Sequence, residues 1–123
     1  MAYNLLGSDS TTPWLANTAN DTYVLKEGVY LGVLGTAISG TAAVLNRKFQ
    51  IDGHVTAEAS GSGMFIGEDE DSGGSSTIRV SATGSVFGES YGIVAHGGGL
   101  DLINAGTLTG SAAGLFITGA LNA

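Results

Sequence analysis

Four stretches of this 123-residue chain superimpose on one another. Units too thin to bury their own apolar faces must lean on their neighbours, which leaves few folds open. With Val29, Phe49, Ile78 and Leu100 in one column, Leu31, Ile51, Val80 and Leu102 fall in another, and the agreement runs on for about fifteen positions. The units cover 29–46, 49–66, 78–95 and 100–117, so their starts lie 20, 29 and 22 positions apart. The long second interval marks an insertion.

Alternation with period two assigns successive residues to opposite faces of a strand. The two columns above point inward, as do Ala37, Ala57, Val86 and Leu108, and then Val44, Met64, Ile93 and Leu115. Gly35, Gly84 and Gly106 share a column with Val55. Ser39, Ala59, Gly88 and Gly110 share another, and Ala43, Gly63, Gly92 and Gly114 a third. Small residues recurring between short strands mark corners, where glycine adopts backbone angles closed to other residues. Three short strands per coil predict an all-β fold, a single-stranded right-handed parallel β-helix (solenoid) of about four coils with an N-terminal extension. The extension spans 1–22 and the β-helix 23–123, with an acidic insertion at 67–76.

Composition narrows the function. Lys26, Arg47, Lys48 and Arg79 are the only lysines and arginines, and the net charge is -7, so nucleic acid and anionic membrane surfaces are unfavourable partners. The chain has no cysteine, which excludes disulfides and thiolate metal sites. Nowhere do eighteen apolar residues run together, and the first twenty residues lack a basic stretch followed by an apolar one. No membrane span is expected, and three placements stay open: a cytoplasmic protein, a protein exported by a route without an N-terminal signal peptide, or a piece of a longer polypeptide. The leading reading takes the second, outside the cell or on its surface.

The segments Val80–Val94 (VSATGSVFGESYGIV) and Ile103–Ile117 (INAGTLTGSAAGLFI) resemble the rungs of bacterial Gly-rich parallel β-helix repeat proteins, of the haemolysin-type calcium-binding and autotransporter-adhesin passenger sort. Asn20–Gly40 is similar to their opening rungs. The resemblance implies a secreted or surface-exposed role in adhesion or assembly. The family's calcium nonapeptide does not carry over, because Leu100 and Leu102 stand where, counting from Gly97, glycine and aspartate are required.

Candidate sites are few. Glu68, Asp69, Glu70 and Asp71 crowd four carboxylates together, either to hold a hard cation such as Ca2+ or as a solvated acidic loop. His54 and His96 occupy different columns and read as surface or corner histidines. Arg79 and Asp101 read as an exposed cross-strand pair. Asp52, Glu58, Glu89 and Asp101, with Phe87 and Tyr91, supply the carboxylates and aromatics of an alternative reading, a module that binds or cleaves polysaccharide. The leading reading is non-enzymatic and assigns no catalytic residue. Leu45, Phe65, Val94 and Phe116 alternate with an inward column and therefore point outward, making one strand apolar on both faces. Either another copy of the chain buries this stripe, or the N-terminal segment with Tyr3, Leu5, Leu6, Trp14 and Leu15 folds back over it. Self-association through the stripe and through open coil ends is expected, with cell-surface or extracellular glycans as further partners.

Overall fold

Short runs of alternating apolar and small polar residues, interrupted by glycine, form strands, and among the described residues there is no helix. The computed structural model describes residues 3–16, 21–40, 47–67, 75–96, 99–117 and 121–122. The strands are β1 (Tyr3–Leu6), β2 (Trp14–Leu15), β3 (Thr22–Leu25), β4 (Tyr30–Leu34), β5 (Ile38–Gly40), β6 (Lys48–Ile51), β7 (His54–Glu58), β8 (Met64–Gly67), β9 (Ser75–Val80), β10 (Ser85–Gly88), β11 (Tyr91–His96), β12 (Gly99–Asn104), β13 (Thr107–Gly110), β14 (Ala113–Ile117) and β15 (Leu121–Asn122). They form three sheets, ordered β1-β3-β6-β9-β12-β15, β13-β10-β7-β4 and β14-β11-β8-β5-β2. Neighbouring strands in each sheet run parallel, and Ser10 adds a parallel bridge to Leu31 beside β4. Parallel neighbours need a long crossover. Here the strands of the other two sheets supply it, which is the arrangement of a parallel β-solenoid.

The core is a set of ladders. Tyr23, Phe49, Ile78 and Leu102 stack on the first sheet, Leu31, Val55, Val86 and Leu108 on the second, and Ile38, Met64, Ile93 and Leu115 on the third. All but Leu108 and Leu115 are buried. Tyr23 stacks on Phe49 with ring centroids 5.3 Å apart, and Trp14 meets Tyr23 edge-on at 5.7 Å. Such aromatic pairs add about 0.5–1.5 kcal/mol beyond the area they bury.

The observed register corrects the repeat. Phe49 does face Ile78, and Met64, Ile93 and Leu115 do share a column, but Tyr23 stands where Val29 is expected and Leu102 where Leu100 is expected. Ile38 takes the place of Val44, which lies outside the described residues. Leu31 falls in line with Val55 instead of Ile51.

The reason lies in the corners. Between the first and second sheets the chain turns through residues 26–29, 52–53, 81–84 and 105–106, so long and short corners alternate. Phe49 therefore faces Ile78, 29 positions on, whereas Val55 faces Val86, 31 positions on. The corner between the second and third sheets restores the difference, because the six residues 58–63 between Ala57 and Met64 span what the four residues 89–92 between Gly88 and Ile93 span one pass later. A single offset cannot follow this exchange.

Each long corner closes on itself, Val29 N–H donating to Lys26 O at 3.1 Å and Gly84 N–H to Ser81 O at 2.9 Å. The next short corner lies directly against those carbonyls. A Cβ at Gly53 would overlap the oxygens of Lys26 and Val29, and one at Gly106 those of Ser81 and Gly84. Glycine is required at both positions by close approach of backbone to backbone.

Candidate interaction surfaces

On the outer face of the third sheet, Leu15, Ser39, Phe65, Val94 and Phe116 follow one another in register. Three of the four expected stripe residues thus form one column. The fourth, Leu45, lies outside the described residues, and Ser39 holds the corresponding position. Leu15 is 63% and Phe116 41% exposed, whereas Val94, between two phenylalanines, is only 3% exposed. The Tyr91 ring widens the apolar strip, its centroid 5.1 Å from that of Phe116. Fully burying a side chain of this size is worth about 1.5–3 kcal/mol.

The N-terminal segment does not lie over this strip. Tyr3–Leu6 pairs with β3 at the edge of the first sheet and Trp14–Leu15 pairs with β5 at the edge of the third, so Leu15 lengthens the column. Leu6 and Trp14 pack against the core, while Tyr3 and Leu5 stay exposed. Edge-on pairing wins because it satisfies a row of backbone donors and acceptors that a segment lying over the sheet would leave open.

At the opposite end, β13 and β14 are the last strands of their sheets among the described residues. Leu108 and Leu115 are only partly buried there, although Val86 and Ile93, one step back in the same ladders, are completely buried.

Of the four carboxylates of the polysaccharide reading, Asp52, Glu89 and Asp101 lie on different corners and sheets, while Glu58 follows Ala57, whose partner Gly88 precedes Glu89. Asp52 Oδ1 accepts from Gln50 Nε2 at 2.6 Å in a corner, Glu89 Oε2 accepts the Ala59 N–H at 2.7 Å, and Asp101 faces Thr77 on the first sheet. Arg79 lies opposite Ile103, two positions from the expected alignment with Asp101. Among the described residues no three of His, Cys, Asp or Glu gather into a metal site. Glu68, Asp69, Glu70 and Asp71 lie outside the described residues. Phe87 is exposed on the second sheet, and Tyr91 opens β11 of the third sheet with its ring against Phe116.

Sequence reasoning missed a polar system on the second sheet. His54 Nδ1 lies 2.7 Å from Ser85 Oγ, and the His54 ring stacks on Tyr30 with centroids 4.7 Å apart. Tyr30, His54, Ser85 and Thr107 are consecutive outward positions of one ladder. Correct placement of Leu31 beside Val55 would have brought Tyr30 to His54. His96 lies in β11, opposite Gly67. No helix among the described residues is long and apolar enough to cross a membrane. Compared with protein-family models, curated proteins and solved structures, the chain matches none.

Proposed function

We propose that the chain is a non-enzymatic structural or adhesive module, a right-handed parallel β-helix of about four coils that associates with further copies of itself through the strip on its third sheet and through its coil ends. The general preference for right-handed crossovers between parallel strands supports the right hand. This reading takes the passes over 22–40, 48–67, 75–96 and 99–117 as the coils and the N-terminal strands as the extension. The resemblance of the rungs to those of Gly-rich surface adhesins supports a role for such an assembly outside the cell, with glycans as further partners.

The observation that carries the reading is the uncharged column Leu15–Ser39–Phe65–Val94–Phe116 on a chain of net charge -7. Like-charged copies approach most readily where neither presents charge, and there each also removes apolar surface from water. Light scattering of the wild type and of Phe116→Glu tests it. The wild type should form dimers or larger species at concentrations where the variant is monomeric. A monomeric wild type at millimolar concentration, or a variant that associates equally, would remove the support.

A further inference from the structure

We propose that the groove on the outer face of the second sheet, over Gly32, binds a linear aliphatic polyamine. Residues 9–13 pass alongside β4 and leave a continuous trough. One part, about 350 Å³, is lined by Asp9, Ser10, Thr11, Tyr30 and Gly32. The other, about 570 Å³, reaches Leu34, Thr56 and Glu58, with Pro13 opposite. Thr11 and Gly32 belong to both parts, and a Cβ at Gly32 would meet nothing within 4 Å, so the missing side chain opens the floor.

The chemistry of the walls selects the ligand. A carboxylate stands at each end and no lysine or arginine lines either part. Asp9 is held in place by the Tyr30 N–H, which donates to its Oδ1 at 2.9 Å, and Glu58 pairs in register with Leu34. From Tyr30 to Leu34 is four residues, about 13 Å at the rise of a parallel strand. Tyr30 rests against His54 and is still 57% exposed, a fixed ring for an ammonium or its neighbouring methylenes. Two separated carboxylates, with an exposed ring beside one of them and the open floor at Gly32 between, suit a chain of methylenes carrying positive charge at both ends. An anion would be repelled from both ends, and a neutral ligand would gain from the ring alone.

Calorimetric titration of the intact chain at low ionic strength tests the assignment, with spermidine as the probe and 1,2-diaminoethane as a cation too short to span the groove. Spermidine should bind saturably at one per chain, and the short diamine about tenfold more weakly. Glu58→Gln and Tyr30→Ala should each weaken spermidine by about tenfold, the scale of a lost hydrogen bond to a charged group for the first and of a lost cation–π contact for the second. Asp101→Asn removes the same charge from the first sheet and should leave binding unchanged. Circular dichroism establishes that each variant is folded. Absence of saturable binding would overturn the proposal. So would equal loss in Glu58→Gln and Asp101→Asn, which would mean attraction to net charge alone, or equal affinity for the short diamine.

Discussion

The guanidinium of Arg47 occupies the space that a side chain at Gly40 would fill. Arg47 is completely buried, and its Nη1 donates to Gly40 O at 2.9 Å and to Ala16 O at 2.7 Å. A Cβ on Gly40 would overlap that nitrogen. Gly40 continues the third sheet opposite Ile66, so a charged side chain from outside the strand fills a core position.

This arrangement makes two substitutions interdependent. Gly40→Ala should cost about 2 kcal/mol through overpacking, and Arg47→Ala about 3 kcal/mol or more, because buried polar groups lose their partner. With Arg47 already truncated, Gly40→Ala should cost clearly less than it does alone. A double-mutant cycle by urea denaturation measures the coupling, and simple additivity would contradict the shared space.

Glycines should separate sharply by position. Gly53→Ala and Gly106→Ala drive a methyl into carbonyl oxygens of the preceding corner and should each lower stability by about 2 kcal/mol or more. Gly32→Ala meets open space in a strand and should leave the denaturation midpoint unchanged or raise it, within about 0.5–1 kcal/mol.

The five-residue corner at 59–63 holds Ala59 at φ 54° and Ser60 at φ 67°. A non-glycine residue there costs about 1–3 kcal/mol, and glycine loses about 0.5–1 kcal/mol of that advantage to chain entropy. Ser60→Gly should therefore stabilise the protein by about 1 kcal/mol. Glu89→Ala, which removes the acceptor for the Ala59 N–H, should destabilise it by about 1 kcal/mol. Thermal melting of the two variants should show shifts of opposite sign.

Ladder residues should respond as core. Ile78 is completely buried between Phe49 and Leu102, and Ile78→Ala should cost about 2–5 kcal/mol. Phe116→Ala at the exposed column should cost much less in stability while reducing association, so chemical denaturation and light scattering should rank these two variants in opposite orders.

Charge should modulate that association. The net charge of -7 opposes contact between copies, so added salt, or acidification toward the isoelectric point near 4.3, should promote it. Light scattering across a salt series checks this, and association that falls with salt would point to contacts between charges instead of the apolar column.

The parallel all-β architecture was legible because large apolar residues at period two, such as Phe49 with Ile51 and Ile78 with Val80, align on two adjacent passes whatever happens at the corners. The outward column Phe65–Val94–Phe116 was legible for the same reason. Leu31 and Val29 were misplaced because a corner of 26–29 faces one of 52–53, and the two-residue difference is recovered only at the next corner. Arg47 gave no signal, since burial of a cation depends on carbonyls 31 and 7 positions away. The groove over Gly32 was equally hidden. Its walls come from Asp9 and Thr11 on one side and Tyr30 on the other, and only the parallel bridge from Ser10 to Leu31 brings them together.

Because the strand pairs of the three sheets run parallel, the two ends of the stack are different surfaces, and one cannot be superposed on the other by turning the molecule over. Copies joined end to end in the same sense would each present an unused end to the next, and such a series has direction and no natural length. Copies joined face to face through the third sheet can instead satisfy one another as a two-fold pair and stop. Under the proposed self-association, the stronger of these contacts would decide between a thread and a closed unit.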